Sequence, residues 1–164
     1  MKKRNLLPAI FTLCLFTAQQ ASAQFNAINA GKLHIYASVN ESIEKTFSIR
    51  KAEVTLYEDV EGTCNWTGME QMKTNAKGEF SFKLDYNSKY MVEISKEGFV
   101  SKRITFDTNV AGTTITSQDF YFMVELADGE NTAVSDIQVA NVFYVVEKKK
   151  FDYELNYAKA EAGK

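Results

Sequence analysis

NAKGEFSFKLDYNSKYMVEISKEGFVSKRITFD, residues 75–107, decides the fold of this chain. It reads as turn, strand, turn, strand, turn, strand. The first strand sets Phe80, Phe82 and Leu84 on one face and Ser81 and Lys83 on the other. The second sets Tyr90, Val92 and Ile94 against Met91, Glu93 and Ser95. Alternation with a period of two marks strands with one buried and one wet face. It predicts burial of Phe80, Phe82, Val92, Ile94 and Val54 and exposure of Ser81, Lys83 and Glu93. Gly78 and Gly98 stand where the turns need positive φ, which only glycine adopts without a Cβ penalty.

Outward from this stretch the same grammar continues. Strands are predicted at 32–40, 48–57, 69–74, 80–84, 90–94, 100–106, 115–126 and 137–147, with polar loops at 58–68, 109–114 and 127–135. Seven or eight short strands separated by turn signals predict an all-β fold, a single antiparallel β-sandwich. No amphipathic helical period occurs before the tail, residues 151–164, whose composition is mildly helical.

The N-terminus predicts export. Lys2, Lys3 and Arg4 form a positive region, residues 6–16 an apolar one, and Ala21-Ser22-Ala23 a small-x-small cleavage site. The apolar run is about ten residues, roughly half of what a ~30 Å hydrocarbon core demands, so it reads as a signal peptide and not as an anchor. Cys14 is not preceded by the small residue that lipidation needs. The domain reading is a signal peptide at 1–23, a sandwich at 24–150 and a tail at 151–164, with no transmembrane segment in the mature chain.

Cleavage would remove three positive charges and take the formal net charge from −2 to about −5. With no basic stripe, nucleic acid and anionic lipid are poor partners. Cys64 would remain without a partner for an internal disulfide, and reads as a small buried hydrophobe.

The residues that carry chemistry are sparse. His34 is the one histidine, so a multi-histidine metal site is excluded. It alternates out of phase with Leu33 and Ile35, which turns it toward solvent or a second layer, and no Gly-x-Ser-x-Gly elbow accompanies it. A Cys64–His34 thiol pair has no local signature. Asp59, Glu61 and the acidic loop 128–136 lack the dense alternate acidic spacing of a calcium loop and read as solvated charge. No cofactor, metal or catalytic residue is predicted, and the chain reads as a non-enzyme.

Residues 120–124 and 142–146 depart from the alternation, being apolar on both parities. Something must cover their outer faces. One reading is the chain's own tail, with Phe151, Tyr153 and Tyr157 folded back over them. The other is a docking surface in which Tyr121, Met123 and Tyr144 are exposed. Trp66, in the loop Cys64-Asn65-Trp66-Thr67-Gly68, is a further candidate contact, or a side chain plugging one end of the sandwich.

The segments SIRKAEVTLYED and 75–107 together resemble the carboxypeptidase regulatory-like domain, a transthyretin-like (prealbumin-like) β-sandwich. The matching residues are Ala52, Val54 and Leu56, then Thr74, Gly78 and Phe80, then Tyr90, Val92, Lys96, Gly98 and Phe99. The match covers about residues 32–107, and the ending FDYELNY resembles the tails of small exported proteins of Gram-negative bacteria that carry this module alone. In the carboxypeptidases the module has no catalytic residues, so the resemblance implies none here. It implies a non-catalytic envelope module in the periplasm or at the outer membrane. The partner would be another envelope or outer-membrane protein, or alternatively a polysaccharide bound as by a carbohydrate-binding module.

Expression in a Gram-negative host should yield a mature chain beginning at Gln24, as read by intact-mass spectrometry. A mature mass that retains residues 6–16 would remove the export reading.

Overall fold

A computed structural model describes residues 31–41, 47–60, 62–110, 112, 115–129 and 138–155. The leader with its cleavage junction, Glu61, most of the acidic loop and Tyr157 lie outside the described residues. The strands are β1 (Lys32–Asn40), β2 (Glu53–Asp59), β3 (Trp66–Lys73), β4 (Glu79–Asp85), β5 (Lys89–Ser95), β6 (Lys102–Asp107), β7 (Gln118–Glu125), β8 (Gln138–Val145) and β9 (Lys150–Leu155).

They form two sheets of unequal width. The smaller has the order β4-β1-β7 and the larger β3-β2-β5-β6-β8-β9. Leu33, Ile35, Val39, Val54, Val92, Ile94 and Phe106 have almost no exposed surface and hold the core between them. Phe80, Phe82 and Leu84 of β4 alternate with exposed Glu79, Ser81, Lys83 and Asp85, so the central alternation was read in the right register.

The all-β sandwich expected from the alternation is what the chain forms, with two refinements. Two ladders are parallel, β1 with β7 and β6 with β8, where antiparallel pairing was expected. Parallel neighbours require crossover connections, and the long segments between β1 and β7 and between β6 and β8 supply them. The tail is also not helical in its described part. Phe151, Tyr153 and Leu155 recur at every second residue and pair with Tyr144, Val142 and Ala140, which makes β9 a strand. The larger sheet therefore runs through to Leu155.

Other differences have local causes. The strand expected from residue 48 begins at Glu53, because a turn at Arg50 and Lys51, with φ 56 at Lys51, breaks it. Glu93 is half-buried, its Oε2 2.6 Å from Arg103 Nε on the neighbouring strand. Met91 is buried although it faces outward, since β5 is flanked on both sides and Tyr57 and Thr105 are its cross-strand partners.

Two buried threonines tie the loops to the sheets. The Ala52 N–H donates to Thr74 Oγ1 at 2.9 Å, and that hydroxyl donates to the Ile49 carbonyl at 2.8 Å. Thr108 Oγ1 accepts from the Ser88 N–H at 3.1 Å and reaches the Asp85 and Ser88 carbonyls, each at 2.7 Å. Each buried hydroxyl thus satisfies backbone groups that the strands leave unpaired.

Gly78 and Gly98 both have positive φ, 75° and 84°. They differ in surroundings. A Cβ at Gly78 would lie 2.7 Å from the Val39 carbonyl oxygen, which already accepts the Ile49 N–H, whereas a Cβ at Gly98 meets nothing within 4 Å. Gly98→Ala should therefore cost only the left-handed backbone penalty, about 1–2 kcal/mol. Gly78→Ala should cost about 3 kcal/mol or more, because a paired carbonyl must move as well. Equal losses in urea denaturation would show that the close approach at Gly78 is not what holds that turn.

Candidate functional site

The register of the smaller sheet builds its outer face from three cross-strand rows. Lys83, His34 and Asp119 form the first, Ser81, Tyr36 and Tyr121 the second, and Glu79, Ser38 and Met123 the third. Residues directly opposite in neighbouring strands share a face. The first row is ionic. His34 is half-buried with Nδ1 3.4 Å from Asp119 Oδ1, and next to the row Lys32 pairs with Asp85 at 2.7 Å.

The second and third rows are where the face turns apolar. Tyr121 is 71% exposed and Met123 60% exposed, the two most exposed large apolar side chains of this sheet. The rings of Tyr36 and Tyr121 are stacked, centroids 5.0 Å apart and planes 14° from parallel. That separation is close to the spacing between strands, so the rings stand side by side above their own strands. An open groove of about 820 Å³ runs beside them, lined by Tyr36, Ser38, Ser81, Tyr121 and Met123 and reaching Met72 of β3.

The expected contact residues divide. Tyr121 and Met123 are exposed and adjacent. Tyr144 is not exposed as expected. It faces inward from β8 and packs edge-on against Phe151, centroids 5.3 Å apart. The parity of 142–146 is misleading because the outward set, Phe143 and Val145, is half-buried. Trp66 is half-buried at the start of β3, an edge strand of the other sheet, and does not line the groove. Tyr36 was missed, because alone it looks like an ordinary outward residue of β1, and only the parallel β1–β7 register brings it to Tyr121.

The described part of the tail, residues 151–155, does not cover Tyr121 and Met123. Phe151 instead enters the core and stacks on Tyr86, whose hydroxyl donates to the carbonyls of Thr116 at 2.9 Å and Lys32 at 3.2 Å. Burial pushes that hydroxyl's pKa above the usual tyrosine value.

The remaining candidates for chemistry are structural. Cys64 is exposed, contrary to expectation, in a turn with φ 63. The buried Asp59 carboxylate, expected to be solvated, forms that turn by accepting the N–H groups of Thr63 and Cys64 at 3.1 and 3.0 Å. Among the described residues no cluster of three or more His, Cys, Asp or Glu side chains is placed to hold a metal ion. Among them also no helix is long and apolar enough to cross a membrane.

No protein-family profile matches the chain, and no curated protein sequence matches it. Among solved structures it is similar to the TIE protein of Bacillus anthracis, at 20% identity and a TM-score of 0.47, over 60% of this chain and 18% of that one. The major pilin SpaD of Corynebacterium diphtheriae is similar at 12% identity and a TM-score of 0.41, over 59% and 30%. The wild-type catechol 1,2 dioxygenase of Acinetobacter radioresistens is similar at 11% identity and a TM-score of 0.42, over 66% and 56%. The chain spans less than two thirds of the length of each of the three. Similar shapes host unrelated functions, so function is argued from the side chains.

The stacked pair is directly testable. A double-mutant cycle on Tyr36→Ala and Tyr121→Ala should give a coupling of about 0.5–1 kcal/mol in thermal or urea melts. A coupling near zero would mean that the two rings do not hold each other.

Proposed function

We propose that this protein is a non-catalytic interaction module of the cell envelope that docks through the outer face of its smaller sheet onto another envelope or outer-membrane protein. The observation that carries the reading is the exposed strip of Tyr36, Tyr121 and Met123 beside an open groove. Large aromatic side chains and methionine are the residues enriched at protein interfaces, and they bury much surface with few rotors to freeze. The ionic row of Lys83, His34 and Asp119 at one end supplies a polar rim.

Supporting its location is the N-terminal pattern of Lys2, Lys3, Arg4, an apolar run and Ala21-Ser22-Ala23, which suits export to the periplasm or outer membrane of a Gram-negative bacterium. The module itself would be a transthyretin-like sandwich of the carboxypeptidase regulatory-like kind, following a signal peptide at 1–23 and running on through β9. Its support is the placement of Val54, Gly78, Phe80, Val92 and Gly98 in the core and turn positions that the resemblance assigns.

A polysaccharide is the second reading, favoured by the hydroxyls of Ser38 and Ser81 beside two exposed tyrosines. Ring geometry weighs against it. A sugar stacks on an open ring face, whereas Tyr36 and Tyr121 turn a face toward each other at 5.0 Å.

A photo-crosslinking side chain at Met123 should capture one envelope protein in vivo, and Tyr121→Glu should abolish that product. A charge in a desolvated interface is uncompensated, while an already exposed position should change stability by no more than about 0.5 kcal/mol. A crosslink untouched by Tyr121→Glu, or one lost when purified envelope polysaccharide is added, would overturn protein docking at this face.

A further inference from the structure

The two sheets do not match in width, and the mismatch is concentrated beside β7. Along β8 and β9 the inward residues are Ala140, Val142 and Tyr144, paired with Leu155, Tyr153 and Phe151. The β8 residues and Phe151 are buried. Tyr153 and Leu155 share their face yet remain 55% and 45% exposed. The Tyr153 ring meets Phe120 of β7 edge-on, centroids 6.5 Å apart, which places the uncovered area directly under the outer edge of β7. Phe120 and Phe122, core-facing residues of β7, are themselves only half-buried.

That edge is open. Among the described residues β7 pairs only with β1, in one continuous register from Leu33↔Gln118 to Asn40↔Glu125. Its eight residues contain no Lys, Pro or Gly and its ladder has no bulge, so of the devices that normally keep an edge strand unpaired it has only the charges of Asp119 and Glu125 near its ends. The other edges have them. β3 carries Gly68, Lys73 and a register shift, β4 carries Lys83 between Glu79 and Asp85, and β9 carries Lys150, Asp152 and Glu154.

We propose that the open edge of β7 accepts an extended segment of another polypeptide as a fourth strand of the smaller sheet, laid over Tyr153 and Leu155. This rests on the docking role above and specifies the partner's chemistry. A strand added about 4.8 Å beyond β7, in a sheet about 10 Å above the larger one, lies over β9. Its inward side chains meet Phe120, Tyr153 and Leu155 and must be apolar, while its outward centre continues the strip of Tyr121 and Met123. Backbone pairing supplies affinity and the alternate side chains supply selection.

Charge at the ends disfavours a second copy and selects the partner. Asp119 and Glu125 flank Tyr121 and Met123 on the outward face. Antiparallel self-pairing centred on Phe122 would set Asp119 against Glu125 twice, and like charges directly opposite are destabilising. The fitting segment carries Lys or Arg at both ends. His34 Nδ1 already lies 3.4 Å from Asp119 Oδ1, so the end charges govern choice of partner more than strength. The chain's own residues 156–164, NYAKAEAGK, are mostly Ala, Lys, Glu and Gly, which are poor strand formers with little apolar surface to offer.

The test titrates the full chain against a fluorescent eight-residue peptide with Lys at each end and alternating Val and Thr between. The expected result is saturable binding that weakens at least about tenfold when the internal amides are N-methylated, since the ladder is then blocked. Leu155→Lys should weaken it similarly with an unchanged melting temperature, because Leu155 is exposed in the free chain. A Glu-ended peptide should bind several-fold more weakly at low salt. Equal binding of methylated and unmodified peptides, or no saturable binding, overturns strand addition. Self-association abolished by Leu155→Lys overturns it in favour of a second copy. Loss of strand addition with the Tyr121-dependent crosslink intact leaves face docking standing, and loss of that crosslink removes the docking role itself.

Discussion

An apolar sheet face needs a cover of matching width, and here a three-stranded sheet faces a six-stranded one. This constraint organises the rest of the molecule. The smaller sheet buries its own inward residues, Leu33, Ile35, Phe80 and Phe82, against the larger sheet. Beyond β7 the cover must come from elsewhere. Tyr86 and Phe151 supply part of it, their rings stacked 6.1 Å apart with Tyr144 packed edge-on against Phe151. Past them the cover ends, and Tyr153 and Leu155 show the consequence.

The loops hold this arrangement in place. Tyr86, in the turn after β4, reaches the carbonyls of Lys32 and Thr116, so one hydroxyl links that turn to the chain just before β7. Gln118 Nε2 donates to the Lys149 carbonyl at 3.0 Å, fastening the start of β7 to the β8–β9 turn. At its other end, Leu126 donates to Asn40 and Val100 donates to Ala127, which carries the chain from one sheet to the other. β7 is therefore fixed at both ends while the outer side of its backbone has no partner strand among the described residues, a combination that preorganises an edge.

How much of this was legible in the sequence depends on how local the cause is. Phe80, Phe82, Val92 and Ile94 were placed correctly because a strand's two faces follow from its own alternation. Positive φ at Gly78 and Gly98 was legible for the same reason. Tyr144 was misplaced because parity cannot say which of two apolar faces looks inward. Cys64 was misplaced because the turn that turns it outward is set by Asp59, a residue that looked like solvated charge. The parallel β1–β7 ladder joins strands about eighty residues apart, and no local pattern announces such a pairing. The stacking of Tyr36 on Tyr121 was hidden with it. The exposed strip was thus partly readable, with Tyr121 and Met123 visible as a break in alternation and Tyr36 invisible.

That break has different origins in the two strands that show it. In β8, Phe143 faces outward but is flanked on both sides, by Asp107 of β6 and Asp152 of β9, while Val145 is flanked by Lys150 of β9. Half-burial of an outward residue in an interior strand needs no partner. Among the described residues β7 has a neighbour on one side only, so the same pattern leaves Tyr121 and Met123 open to water and Phe120 and Phe122 incompletely covered. An edge strand that is apolar on both faces is costly for a free protein, because both its surface and its unpaired backbone invite association. Among the described residues Phe120 and Phe122 on one face of β7 and Tyr121 and Met123 on the other are left incompletely covered, and one added strand would lie beside both sets.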